Sequence, residues 1–99
     1  MDTRIEIPDV FQADVHRAAE ILRAAGCTEI FLFGSLAAKR ANVSSDLDFA
    51  VRGCPPGSFF RVLGKLIMEL DHLVDLVDLD SQDPFARFLE EHGELVQVG

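Results

Sequence analysis

Two aspartates one residue apart, Asp46 and Asp48, follow the pair Gly34-Ser35 after a gap of ten residues. Polar and large apolar residues alternate from Ser44 to Val51. At the period of a strand, both carboxylates therefore face the same side of a sheet. Two adjacent carboxylates repel each other, and a divalent cation is the simplest group that would make the arrangement favourable. The spacing indicates a metal site.

The Gly-Ser pair ends an apolar segment and begins a turn of small residues. Gly34 lets the backbone approach a phosphate group closely, and the free N–H groups of a helix that begins after Ser35 form an anion site. A phosphate-binding turn beside a divalent cation is the combination that a bound nucleotide requires.

A third carboxylate is expected on the segment 73–80, where three aspartates stand among apolar residues. A charged side chain inside an apolar strand is unfavourable to bury unless it is paired or binds a metal ion. Asp75 is the most deeply embedded of the three, whereas Asp78 points to the opposite face and Asp80 lies at the strand exit. We favour Asp75, and Asp78 is the alternative.

The combination of Gly34-Ser35, a ten-residue gap and Asp46-Leu47-Asp48 resembles the minimal nucleotidyltransferases of the DNA polymerase β-like superfamily. The resemblance extends from the strand at Glu29 to the segment Glu91-His92-Gly93. Asp75 matches the acidic residue of the third strand in that family. The sequence departs from the family where a basic residue and a glycine usually follow the Gly-Ser pair.

The resemblance implies a two-metal nucleotidyl transfer. Asp46, Asp48 and Asp75 would hold two Mg²⁺ ions, and Asp75 would also accept the proton of the attacking hydroxyl. Gly34, Ser35 and the amides after them would hold the β- and γ-phosphates of ATP. The missing positive charge would come from Lys39 or Arg40, and the sequence does not decide between these two.

The implied function is the transfer of AMP from ATP to a hydroxyl of a partner protein. Small proteins of this kind resemble the antitoxin half of a two-gene pair whose partner is a HEPN-domain ribonuclease toxin. The antitoxin would act by AMPylation of the toxin, on a tyrosine, or by holding it in a complex. Two alternatives stay open: a small-molecule nucleotidyltransferase completed by dimerisation, and a non-catalytic binding subunit.

Composition limits the other possibilities. Ninety-nine residues predict a single domain over residues 1–99. The net charge of −8 argues against a nucleic-acid template, because phosphate backbones need clustered Lys and Arg. No apolar run is long enough to span a membrane, and the first residues lack the features of a signal peptide, so we expect a cytoplasmic protein. Cys27 and Cys54 are then expected to be free thiols.

The elements predicted to position these residues alternate between helix and strand. Helices are expected from Asp9 to Gly26, from Leu36 to Arg40, after a Ser58 cap, and from Pro84, capped by Asp83, to Gly93; strands are expected over Glu29–Phe33, Asp46–Val51, Leu73–Leu79 and Leu95–Val98. The inward residues of the third and fourth helices are expected to be Phe59, Leu63, Leu66, Ile67, Leu70, Phe85, Phe88 and Leu89, and the Phe side chains at these spacings are expected in the core. His16, His72 and His92 are expected to be structural or solvated. This order predicts an α/β (α+β) fold in which helices pack on one face of a small mixed sheet and the other face is open around the aspartates.

Overall fold

The computed structural model describes residues 9–34 and 46–98, which form three helices and four strands. In chain order the elements are α1 (Asp9–Ala24), β1 (Glu29–Phe33), β2 (Leu47–Arg52), α2 (Phe59–Glu69), β3 (Val74–Asp78), α3 (Pro84–His92) and β4 (Val96–Gln97). The predicted strand Glu29–Phe33 is confirmed, and the other boundaries lie close to those predicted. Ser35, Lys39, Arg40 and the short helix expected over Leu36–Arg40 lie outside the described residues.

The four strands form one mixed sheet in the order β3-β2-β1-β4. β1 is antiparallel to both β2 and β4, whereas β2 and β3 are parallel. Parallel neighbours need a long crossover connection, and α2 provides it between β2 and β3. The predicted mixed α/β architecture is therefore confirmed.

The main hydrophobic core lies between one face of this sheet and the helices α1 and α2. Strand alternation sends every second residue of β1 and β2 to this face, and fully buried helical side chains pack against them. Its largest fully buried members are Phe11, Leu22, Ile30, Leu32, Leu47, Phe49, Val51 and Leu66.

The opposite face, which was expected to be open around the aspartates, is covered in part by a second, smaller apolar cluster. Phe33 and Ala50 point to this face and pack with Leu79 and with Leu89 of α3. α3 therefore lies on the second face of the sheet, whereas α1 and α2 cover the first face. Phe33 and Ala50 of this cluster border the part of the face that carries Asp48, since Phe33 pairs with Asp48 and Ala50 follows it by two residues.

Several large apolar side chains expected in the core are exposed. Ile67 of α2 is 55% exposed, and Phe85 and Phe88 of α3 are 49% and 55% exposed. In α3 the buried positions are Ala86 and Leu89, of which Leu89 was expected to face inward and Ala86 was not. Helical spacing predicts which residues share a face, but it does not determine which face meets the sheet.

The ends of α2 and α3 are capped differently. Asp83 Oδ1 accepts a hydrogen bond from the Phe85 backbone N–H at 2.8 Å, and Pro84 occupies the first turn, as predicted. Ser58 stands at the N-cap position of α2, but its hydroxyl donates to the Pro55 carbonyl at 2.7 Å and does not cap the helix.

Cys27 and Cys54 form a disulfide, so the expectation of two free thiols is wrong. The register of the β1–β2 pair explains why they meet. Glu29 stands opposite Arg52, and continuing this antiparallel register by two residues brings Cys27 opposite Cys54. Their Cα atoms are 3.9 Å apart. The bond closes a loop that contains β1, Gly34 and the first aspartates.

None of the helices in the described ranges, 9–34 and 46–98, combines the length and the apolar composition that crossing a membrane demands.

Candidate active site

Three aspartates converge at one end of the sheet, where β1 ends and β2 and β3 begin. Asp48 pairs with Phe33 of β1 on one side and with Asp75 of β3 on the other. Residues directly opposite each other in neighbouring strands face the same side of a sheet, so Asp48 and Asp75 share a face. Asp46 precedes Asp48 by two residues and falls on that face as well.

The electrostatics of Asp48 report this convergence. The pKa of Asp48 is raised from 3.8 to about 6, chiefly by burial of its side chain and then by the charges of Asp75 and Asp46, in that order of importance. Asp48 is half-buried, whereas Asp46 and Asp75 are exposed, so the expectation that Asp75 is the most deeply embedded aspartate of its segment is wrong. Within residues 9–34 and 46–98, no basic side chain pairs with any of the three. Among the described side chains, the negative charge of the cluster therefore has no basic group that compensates it.

This donor set fits a divalent cation. In the described ranges no group of three His, Cys, Asp or Glu side chains is placed so that it could hold a metal ion by itself. Mg²⁺ does not need such a group, because proteins usually bind it through one or two carboxylates together with water and substrate phosphates. A bound cation would also relieve the repulsion that raises the pKa of Asp48. The residues that would hold it are Asp46, Asp48 and Asp75.

Gly34 is fitted to the Asp48 carboxylate. Its backbone φ is +74°, in the left-handed region that side chains other than glycine rarely adopt. A Cβ atom at Gly34 would overlap Oδ2 of Asp48. The structure thus gives this glycine a reason that the sequence did not indicate, since it leaves room for an aspartate on the neighbouring strand.

Asp78 and Asp80 take part in the turn after β3 and lie away from the cluster. Asp78 stands opposite Val51, which faces the main core, and its Oδ1 accepts a hydrogen bond from the Asp80 backbone N–H at 2.9 Å. Oδ2 of Asp80 accepts from the Gly53 N–H at 2.6 Å. This register places Asp75 and Asp78 on opposite faces of β3, as strand alternation predicts.

A buried carboxylate that the sequence reasoning missed lies behind the site. Asp14 of α1 is 7% exposed, and its Oδ2 accepts hydrogen bonds from the backbone N–H groups of Asp71 and His72 at 2.9 and 3.0 Å. The same oxygen lies 2.7 Å from Nδ1 of His72. These contacts hold the turn that leads into β3. The available signal was a polar residue on the apolar face of α1, three residues after Phe11.

No protein-family model matches the sequence, and no curated protein matches it significantly. Solved structures do match. A chain of a toxin–antitoxin complex with AMP-PNP is 28% identical, with a TM-score of 0.63 over 81% of this chain and 69% of that chain. A chain of the complex between tri-AMPylated HEPN toxin and MNT antitoxin from Shewanella oneidensis is 30% identical, with a TM-score of 0.54 over 73% and 58%.

A third match extends over almost the whole of both chains. A protein described as a candidate minimal nucleotidyltransferase is 22% identical, with a TM-score of 0.66 over 89% of this chain and 94% of that chain. The fold is therefore a nucleotidyltransferase fold. More narrowly, the resemblance to the minimal nucleotidyltransferases is confirmed, and several of the neighbours come from complexes of such an antitoxin with a HEPN toxin.

Proposed function

We propose that this chain, as a single domain over residues 1–99, is a Mg²⁺-dependent nucleotidyltransferase that transfers AMP from ATP to a hydroxyl of a HEPN-domain partner, as the antitoxin of a toxin–antitoxin pair. The observation that carries the proposal is the convergence of Asp46, Asp48 and Asp75 on one face of the sheet, where burial and then the charges of Asp75 and Asp46 raise the pKa of Asp48 to about 6. The neighbours add support, since one complex contains AMP-PNP and another an AMPylated HEPN toxin.

The reaction joins the hydroxyl oxygen of the acceptor to the α-phosphorus of ATP. The bond from that phosphorus to the bridging oxygen breaks, and pyrophosphate leaves. When bound at the three carboxylates, Mg²⁺ supplies charge stabilisation on the phosphates and lowers the pKa of the attacking hydroxyl. Most of the catalysis in such a transfer comes from positioning and electrostatics.

Each carboxylate contributes differently because each is placed differently. Asp48 lies between Phe33 and Asp75 and is the half-buried centre of the cluster. Asp75 is exposed on β3, so an acceptor arriving from solvent can reach it, and it takes the hydroxyl proton. Ser35, together with Lys39 or Arg40, would hold the triphosphate beside Gly34.

Labelled ATP tests this proposal. The purified chain is incubated with [α-³²P]ATP and Mg²⁺, with and without its HEPN-domain partner protein. We expect label on the HEPN protein, loss of labelling in EDTA, and no labelling by Asp48→Asn. Label on a small-molecule acceptor would contradict the protein acceptor and support a small-molecule nucleotidyltransferase instead. A stable complex with the HEPN protein without any label would contradict the transfer reaction and indicate a non-catalytic antitoxin.

A further inference from the structure

Helix α2 has a second apolar side that nothing in the described chain covers. Phe60, Ile67 and Met68 are 81%, 55% and 86% exposed, and their spacing places them along one side of the helix. The residues that α2 buries, Val62 and Leu66, lie on a different side. A helix with two apolar sides is typical of one that contacts something besides its own core.

This exposed side of α2 lies along the free edge of the sheet. β3 is the last strand in the order and pairs only with β2 among the described strands. Glu69 of α2 pairs with Arg17 of α1, so α1 occupies the other flank of the helix. α2 contacts β3 and leads into it, and Leu73, which is 74% exposed, continues the apolar stripe at the start of that strand.

A cleft lies at the C-terminal end of β3, next to Phe60 of the apolar stripe. It has a volume of about 430 Å³, and its apolar lining includes Phe59, Phe60, Leu76 and Phe85. Two carboxylates, those of Asp78 and Asp83, also line it. The cleft is therefore shaped for an apolar side chain that is accompanied by a basic group.

We propose that the β3-edge surface, defined as Phe60, Ile67, Met68, Leu73 and Phe85, is where the HEPN-domain partner docks. This inference rests on the proposed function, which supplies the partner. The docked segment presents apolar side chains to the stripe and a Lys or Arg to Asp78 and Asp83 at the cleft. A second copy of this chain fits less well, because its net charge of −8 would set like charges against the acidic cleft.

The position of this surface explains how a small chain reaches its acceptor. β3 carries Asp75, and the β2 strand with Asp48 lies about 4.8 Å away. A protein bound along the β3 edge therefore contacts the strand that carries Asp75 and lies one strand away from Asp48. Its acceptor hydroxyl enters from the side on which Asp75 is exposed.

The test is binding of the purified HEPN-domain protein by calorimetry, in EDTA and without ATP, so that transfer does not affect the result. Phe60→Ala and Met68→Ala should each weaken binding about tenfold or more, as expected for buried interface anchors. Phe88→Ala is the matched control, because Phe88 is 55% exposed but lies outside the surface. It should bind within about twofold of wild type. Because Phe60 and Met68 are exposed, their variants should keep the wild-type Tm.

Three results would overturn the inference. Wild-type affinity in the Phe60→Ala, Met68→Ala double variant would place the interface elsewhere. A homodimer of the free chain that Phe60→Ala dissociates would assign the surface to a second copy. Absence of any binding by the wild type would show that the HEPN-domain protein is not the partner of this surface. Weakened binding together with absent AMP transfer would instead leave the surface intact and contradict only the proposed function.

Discussion

Replacing Asp48 by asparagine should stabilise the metal-free protein. The half-buried Asp48 carboxylate faces the charges of Asp75 and Asp46, and its pKa is raised from 3.8 to about 6. Asparagine has almost the same shape and carries no charge. Removing the charge removes the repulsion, and the side chain still fits against Gly34. A stabilising substitution in the centre of a site is expected only where the native residue serves a ligand.

The magnitude follows from the shift in pKa. A rise of about two units corresponds to about 3 kcal/mol, which we reduce to about 1–2 kcal/mol because Asp48 is only half-buried. Since the pKa of Asp48 is higher in the folded than in the unfolded chain, the folded protein binds more protons between about pH 4 and 6. Its contribution therefore lowers stability as the pH rises through that window. At pH 7 the full penalty is present, and the variant lacks it.

Thermal unfolding in EDTA at pH 5 and pH 7 measures the effect. At pH 7 the Tm of Asp48→Asn should exceed that of wild type by about 4–12 °C, and the difference should shrink at pH 5. Addition of Mg²⁺ should raise the Tm of wild type and leave the variant unchanged. Asp78→Asn is the matched control, since Asp78 lies on the other face of β3. A lower Tm for Asp48→Asn than for wild type in EDTA would refute the reasoning and make Asp48 a structural residue.

Three further changes test the described structure. Gly34→Ala should lower the free energy of unfolding by about 1–2 kcal/mol or more, because Gly34 has a positive φ. Gly64→Ala should raise it by about 0.5–1 kcal/mol, because Gly64 lies inside a helix and a Cβ atom there meets open space. Urea titration compares the two variants. Asp14→Ala should cost about 2–3 kcal/mol in the same titration, because two backbone amides lose their charged acceptor, and an unchanged midpoint would contradict that account. Reduction of the Cys27–Cys54 disulfide should cost about 3–4 kcal/mol from loop closure, and a Tm that is the same with and without dithiothreitol would argue against the bond.

The strands and the faces of their residues could be predicted because local pattern determines them. The five apolar-rich residues Glu29–Phe33 form β1 as predicted. Alternation placed Asp75 on one face of β3 and Asp78 on the other, and the parallel register then set Asp75 directly beside Asp48. Ser35, Lys39 and Arg40 lie outside the described residues, and their proposed contacts with ATP stay predictions.

The features that sequence reasoning missed depend on which elements meet. The Cys27–Cys54 disulfide follows from the antiparallel register of β1 and β2, which no spacing of two cysteines reveals. The buried Asp14 depends on the turn before β3 reaching back to α1. The exposure of Phe60 depends on β3 being an edge strand, because a further strand or helix beyond it would have covered that side of α2. Periodicity identifies the apolar faces of a helix, but it does not show whether another element of the fold is present to bury each face.

The central claim is that Asp46, Asp48 and Asp75 form a nucleotidyl-transfer site, and single-turnover transfer at saturating ATP and Mg²⁺ tests it most directly. Asp75→Asn should transfer AMP more slowly than wild type by a factor on the order of 10² or more, as expected for a lost metal ligand or general base. Asp78→Asn, on the opposite face of the same strand, should stay within about threefold of wild type when the HEPN protein is also saturating, because a contact between Asp78 and the docked partner then affects binding and not the transfer step. Equal rates for the two variants, or the reverse ranking, would contradict the assignment of the site to the face that Asp48 and Asp75 share.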